Sequence, residues 1–249
     1  MKILNSKLTH IFSTILFAIM LVMLSFVFSF STLQASETFS ANSPSVKIYF
    51  VSSTKSQLES SAKTLAEYQM ARNGAGYIWN IDNYFYVISS AYENKNDADL
   101  VSASLKNKGE ENEVFELTLP SINFISPIAS PEAKSTLSAG LNIFLSTYRS
   151  LFDISICLDT KIYDETNAFL EINKCYAKAD EIMKNFHIVF GDREEKNIMS
   201  LENAILDLNE NLALLAENQK VNEKQTLISQ VRYKYVQTIE IFNNFVLNF

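Results

Sequence analysis

The stretch Tyr49-Phe50-Val51-Ser52-Ser53 decides the fold, because it returns 37 residues later as Tyr86-Val87-Ile88-Ser89-Ser90. Each copy is an apolar run with the composition of a β-strand, and each is followed by a polar stretch with helical spacing. A strand–helix unit that recurs within one chain predicts a small duplicated domain, in which two such units close into one sheet.

The residues around the two copies predict a β-α-β-β-α-β order. Strands are predicted at residues 46–53, 77–81, 84–90 and 114–119, and helices at residues 54–73 and 94–108. Ser53 or Thr54 is the expected N-cap of the first helix, because such side chains accept a hydrogen bond from the first helical turn. Asp82-Asn83, between two aromatic runs, indicates a tight hairpin.

Alternation along the strands predicts which side chains share a face of the sheet. The side expected to pack on the helices carries Ile48, Phe50, Ile78, Phe85, Val87, Phe115 and Leu117. The opposite side is expected to carry Tyr49, Tyr77, Trp79, Tyr84 and Tyr86. Rings with polar tips suit stacking on sugars, so these five residues are the candidate glycan-binding site. The alternatives are that they only fill the sheet surface or pack on the helical half. A slip of one residue in register would exchange the two sets.

The N-terminal segment predicts export. Residues 11–30 carry no charged side chain and are long enough to span the hydrocarbon core of a membrane as a helix. Lys2 and Lys7 precede this run, which places residues 1–10 in the cytoplasm and the rest of the chain outside. A cleaved signal peptide is the alternative to an anchor. Residues 31–45 are expected to form a polar linker.

The second half of the chain, residues 132–249, is expected to be all helical. A proline-containing linker, residues 122–131, separates it from the sheet domain at residues 46–121. Apolar residues spaced alternately by three and four predict an antiparallel hairpin within a four-helix bundle. They are Ile198, Leu201, Ile205, Leu208, Leu212 and Leu215, then Ile228, Val231, Tyr235, Thr238, Phe242, Phe245 and Phe249. These stripes form either an ordinary core or a surface for a protein partner or a second copy.

Composition argues against several classes of function. The net charge of −7 is opposite in sign to what nucleic-acid binding requires. The chain has two histidines, no cluster with metal-ligand spacing and no nucleophile placed beside a base. We therefore expect no catalytic residue, no metal, no cofactor and no enzymatic activity. Cys157 and Cys175 are either a disulfide, if the chain reverses near Asp159 to Asp164, or two buried thiols.

Residues 46–119 resemble the SPOR domain, the sporulation-related repeat found outside the bacterial cytoplasmic membrane. The resemblance rests on the repeated strand, the β-α-β-β-α-β order, and the run Tyr84-Phe85-Tyr86-Val87-Ile88-Ser89-Ser90-Ala91-Tyr92 followed by Asn96-Asp97-Ala98. It implies a ferredoxin-like α+β domain that binds peptidoglycan glycan strands at sites of wall remodelling, division or sporulation. Serines stand at Ser52-Ser53 and Ser89-Ser90, where the family has glycine.

The expected function is therefore non-catalytic binding of peptidoglycan by a protein anchored in the cell membrane, with its domains outside. The alternative is a scaffolding protein, in which the sheet is structural and the helical half binds a partner or a second copy.

Overall fold

The computed structural model describes residues 39–126 and 130–249. This part of the chain is a mixed α/β protein that combines antiparallel sheets with helices, which confirms the predicted combination of a sheet region and a helical half. The predicted anchor, residues 11–30, lies outside the described residues, as does most of the predicted linker before the sheet. None of the helices within the described ranges has the length and apolar character needed to cross a membrane.

Six strands and six helices make up the described residues. The strands are β1 (Phe39–Ser43), β2 (Val46–Ser56), β3 (Tyr77–Ile81), β4 (Tyr84–Tyr92), β5 (Asn112–Leu119) and β6 (Ile122–Ser126). The helices are α1 (Glu59–Met70), α2 (Lys95–Asn107), α3 (Pro131–Asp159), α4 (Glu165–Phe190), α5 (Lys196–Ala216) and α6 (Leu227–Leu247). Residues Ser40–Phe124 and Ser130–Phe249 form one compact unit, so the main sheet and the helical half pack together.

The main sheet has the strand order β3-β4-β2-β5, and all of its neighbouring strands are antiparallel. From β2 to β5 the elements follow the predicted β-α-β-β-α-β order. Asp82 and Asn83 both have positive φ, at 51° and 64°, which is the conformation of a type I′ hairpin turn. Asn94 caps α2 by accepting a hydrogen bond from the Asn96 backbone N–H at 2.9 Å.

The first helix begins later than predicted. Strand β2 continues to Ser56, which pairs with Phe85 of β4 beyond two shifts in register. Helix α1 therefore begins at Glu59, and its N-cap, Leu58, provides no side-chain hydrogen bond. The prediction that Ser53 or Thr54 caps this helix is wrong, because continued pairing with β4 keeps both residues in the strand.

Two segments predicted as linkers form a small second sheet. Strand β1 pairs with β6, in a two-stranded sheet next in sequence to the main one. Ile122 and Phe124 are buried while Asn123 between them is exposed, which is the alternation of a half-buried strand. Pro120 lies just before β6, where it interrupts no ladder hydrogen bond. The prediction of irregular linkers at residues 39–43 and 122–126 is wrong.

Helices α3 to α6 form the predicted bundle, and α3 also packs against α6. All six residues of the α5 stripe are buried, as are five of the seven from the α6 segment. Ile228 is half-buried, and Phe249, just past the end of α6, is 40% exposed. The Phe144 and Phe242 rings stack with centroids 5.1 Å apart in the core. The buried residues of both stripes therefore belong to the core of the chain's own bundle.

Candidate functional site

Four aromatic rings meet on the face of the main sheet opposite α1 and α2. We call Phe50, Trp79, Tyr86 and Phe115 the ring face. The Phe50 ring lies 5.3 Å from the Trp79 ring at 84°, and 5.1 Å from the Phe115 ring at 27°. The Tyr86 ring lies 5.1 Å from the Phe115 ring. Phe50 and Trp79 are buried, whereas Tyr86 and Phe115 are half-buried, so the latter two present aromatic surface to solvent.

A polar rim borders the ring face near the hairpin. The exposed Lys55 ammonium lies 4.9 Å from the centroid of the Tyr84 ring and 5.8 Å from that of Tyr86. Gln57 donates a hydrogen bond from its side-chain amide to the Tyr84 hydroxyl, at 3.1 Å. An ammonium group over two rings is a cation–π arrangement. Rings flanked by an amine, an amide and a hydroxyl combine stacking surface with hydrogen-bonding groups.

Tyr49 does not belong to this face. It packs against the buried cluster of Val51, Tyr92 and Ala98, between the sheet and α2. The prediction that Tyr49 shares a face with Trp79 is therefore wrong, while Trp79, Tyr84 and Tyr86 do lie on one side. Phe50 and Phe115 were expected on the helix side but lie on the ring face. Ile48 and Leu117, two residues away on the same strands, lie on this face as well. The remaining helix-side residues, Ile78, Phe85 and Val87, pack against α1 as predicted.

A β-bulge explains the exchange. Val51 pairs with Ser90 and Ser52 pairs with Ile88, which leaves Ser89 as an extra residue in β4. Beyond an extra residue, the side chains of the strand point to the opposite faces of the sheet from those that unbroken alternation would give. Tyr86 and Tyr49 therefore lie on opposite faces, although they occupy equivalent positions in the repeat. The sequence carries no periodicity signal for such a bulge, because both serines fit a regular strand.

Tyr77 lies two residues from Trp79 but is covered by the helical half. Its ring contacts the Tyr233 ring of α6 with centroids 4.8 Å apart, and its hydroxyl donates a hydrogen bond to the Glu240 carboxylate. Burial raises the pKa of Tyr77 well above its usual range, and burial also raises the pKa of Glu240. Tyr77 is thus a contact between sheet and bundle, and is not available to a ligand.

The bundle also covers the end of β4 that extends beyond β3. There the Ala91 backbone N–H donates a hydrogen bond to the Tyr235 hydroxyl at 3.3 Å, and the Tyr148 hydroxyl donates one to the Ala91 carbonyl at 3.3 Å. Burial raises the pKa of both tyrosines beyond their ordinary range. Two hydroxyls of the bundle thus satisfy the backbone N–H and carbonyl of Ala91, which have no hydrogen-bond partner in β3.

The two cysteines are free. The predicted chain reversal is present, since α3 ends at Asp159 and α4 begins at Glu165. Burial raises the pKa of the Cys175 thiol, and a hydrogen bond with Ser150 opposes this shift. Because Cys175 lies beside Ser150, its distance from Cys157 follows from the position of Ser150 on α3. Ser150 precedes Cys157 by seven residues, or about 10 Å along the helix, whereas a disulfide needs Cα atoms within about 7 Å. The disulfide alternative does not fit this geometry.

The residues missed by sequence reasoning are Phe50, Phe115, Lys55 and Gln57. The first two were assigned to the wrong face, and the last two precede α1 in a stretch predicted as helix. Among the described residues, no group of three or more His, Cys, Asp or Glu side chains is arranged to hold a metal ion.

Comparison with known proteins gives no match to any family model, to any curated protein or to any solved structure.

Proposed function

We propose that this chain is a non-catalytic protein that binds peptidoglycan glycan strands outside the bacterial cytoplasmic membrane, to which residues 11–30 anchor it. The observation that carries the proposal is the ring face with its polar rim, on the side of the main sheet opposite α1 and α2. Tyr86, Phe115 and Tyr84 offer partly exposed rings there, with Lys55 and Gln57 beside them.

The strand order supports the same assignment. An antiparallel sheet in the order β3-β4-β2-β5, with the two helices of the β-α-β-β-α-β unit on one face, is the ferredoxin-like arrangement that the SPOR resemblance implies. In such a two-layer unit the face opposite the helices is open to a ligand wherever nothing else packs on it. Here α6 contacts Tyr77, and Phe50 and Trp79 are buried, whereas Tyr84 and Tyr86 are half-buried and keep exposed surface.

The chemistry of the rim fits a sugar polymer. Aromatic rings stack on the apolar faces of pyranose rings, and their hydroxyls, together with the Gln57 amide and the Lys55 ammonium, hydrogen-bond to sugar hydroxyl and acetamido oxygens. The rings of Tyr84 and Tyr86 stand two residues apart on one strand, about 7 Å, which matches contact with successive parts of an extended chain.

Co-sedimentation with purified cell-wall sacculi tests the proposal. The full chain, purified in mild detergent, should pellet with sacculi, and more strongly after an amidase has removed the stem peptides. Tyr86→Ala and Tyr84→Ala should each weaken binding about fivefold, the effect of losing roughly 1 kcal/mol of stacking. Trp79 is unsuitable as a probe because its side chain is buried against Phe50.

Tyr68→Ala is the matched control. Tyr68 is an exposed tyrosine, 47% accessible, on α1 at the other side of the sheet. Its removal should leave pelleting unchanged. Absence of pelleting, or equal losses for the Tyr68 and Tyr86 variants when circular dichroism shows both folded, would contradict glycan binding at the ring face.

A further inference from the structure

A groove separate from the ring face runs along α2, between that helix and α3. Its volume is about 620 Å³, which is within the range of ligand sites in proteins. Val101 and Leu105 of α2 form one wall, Phe152 and Ile156 of α3 form the other, and Tyr92 of β4 contributes from the sheet. Tyr92 contacts Phe152 edge-on at 5.7 Å, so the middle of the groove is apolar and partly aromatic.

The groove exposes apolar surface that the fold leaves uncovered. Leu100 at its edge is 70% exposed and Ile156 is 37% exposed, although most large apolar side chains of the compact unit are buried. Covering such side chains removes apolar area from water and favours binding of a ligand with apolar groups.

Two unpaired charges of opposite sign stand at the ends of the groove. Asp97 lies in the first turn of α2 and Lys108 at its C-cap, and both line the groove. Neither side chain makes an ion pair or hydrogen bond within the part of the chain that the structure describes. Their separation of eleven residues along the helix corresponds to about 16 Å.

The other charges of the groove already have partners. Arg72 pairs with Glu110 at 2.9 Å, and Arg232 donates hydrogen bonds to the Asp159 carboxylate and, at 2.9 Å, to the Asn73 carbonyl. A ligand therefore meets one free acid and one free base, separated by an apolar surface.

We propose that this groove binds a short, extended peptide with free termini. The peptide amino group pairs with Asp97, its C-terminal carboxylate pairs with Lys108, and its apolar side chains lie against Leu100, Val101 and Phe152. An extended chain advances about 3.3–3.6 Å per residue, so four or five residues span the two charges. A fatty acid would leave Asp97 unmatched, and a polyanion would meet Lys108 as its one unpaired base, because Arg72 and Arg232 already pair with Glu110 and Asp159.

Isothermal titration calorimetry of the full chain with the pentapeptide Ala-Leu-Ala-Leu-Ala tests this inference. We expect a Kd below about 1 mM for the peptide with free termini. Acetylation of its N-terminus together with amidation of its C-terminus should weaken binding about tenfold. Asp97→Asn and Lys108→Gln should each weaken it about three- to fivefold, as expected for partly exposed charge pairs.

Matched variants on the same helix serve as controls. Asp99→Asn and Lys106→Gln remove the same charges at positions that do not line the groove, and they should leave the affinity unchanged. Tyr86→Ala should also leave it unchanged, because that ring is on the other face; this separates the peptide site from glycan binding. Lack of binding at 1 mM peptide, equal affinity for the capped peptide, or equal losses for Lys106→Gln and Lys108→Gln would each overturn the proposal.

Discussion

At the scale of single residues, the serines that end the two repeats hold the central strands together. The Ser89 hydroxyl donates a hydrogen bond to the Val51 carbonyl at 2.9 Å. The Ser52 hydroxyl shares its proton between the Ser53 carbonyl at 2.7 Å and the Val87 carbonyl at 3.2 Å. Both hydroxyls therefore reach a carbonyl of the other repeat, at the bulge where the ladder is interrupted, and the Ser89 bond is the shorter of these two contacts. These serines are part of the strand pairing, and they do not cap helices.

Ser89→Ala should lower the free energy of unfolding by about 1 kcal/mol, because the buried hydroxyl bonds a carbonyl next to an irregular ladder. Urea denaturation measures this change. Ser104→Ala on the exposed side of α2 is the control and should change stability by less than about 0.5 kcal/mol. Equal stability of the two variants would show that the Ser89 hydrogen bond contributes nothing.

At the scale of elements, turn and capping residues in the sequence predicted those strands and helices whose structure depends on residues close by in the chain. The β3–β4 hairpin follows from Asp82-Asn83 between two aromatic runs, and α2 follows from Asn94 as cap with a helical stripe behind it. Strand β1 was missed because its sequence, FSANS, has no apolar alternation and its partner β6 lies about 80 residues away. The sequence predicted Trp79 and Tyr86 on the ring face but not Phe50 and Phe115, because the pattern of apolar residues does not indicate the bulge at Ser89.

Helix α6 contains a buried lysine whose charged form is disfavoured by desolvation. Lys234 is 6% exposed, donates hydrogen bonds to the side-chain oxygens of Asn211 and Gln237, and makes no ion pair among the described residues. Desolvation lowers its pKa to about 8. Because the folded pKa is lower than that of the unfolded chain, this group makes the protein less stable as the pH falls from about 10.5 to about 8.

Lys234→Met should therefore stabilise the protein at pH 7 by roughly 1–3 kcal/mol, since the charge that must be buried is removed. The gain should diminish as the pH is raised from 8 to 10, where the wild-type lysine loses its proton in the folded state. Thermal melts of both proteins across this pH range give the difference. Lys178→Met, at a more exposed position on α4, is the control; a pH-independent gain for Lys234→Met would contradict a desolvation effect.

At the scale of the whole molecule, the sheet and the bundle share one junction. Tyr148 and Tyr235 bond the backbone of Ala91, and Glu240 accepts a hydrogen bond from Tyr77. Helices that complete the polar contacts of a strand are expected to unfold together with it. The sequence predicted both parts, but not this junction, because it depends on β4 being longer than β3.

Unfolding in urea should accordingly show one midpoint by two probes, the fluorescence of the single tryptophan, Trp79, in the sheet and the far-ultraviolet circular dichroism of the helices. Tyr235→Phe should lower the stability by about 1 kcal/mol with both probes, because it leaves the buried Ala91 N–H without a partner. Tyr163→Phe, in the loop after α3, is the control. Loss of the Trp79 signal at a lower urea concentration than the helical signal would show that the two parts unfold independently.

The offset between Cys157 and Cys175 along the helical hairpin has a consequence for covalent assembly. Two thiols that cannot reach each other do not contribute to the fold when they are oxidised. In an exported protein, any disulfide that either one forms joins the chain to a different molecule, or to a low-molecular-weight thiol. The redox state of the compartment would then govern what is tethered to this protein, while its own unfolding would proceed without a covalent cross-link.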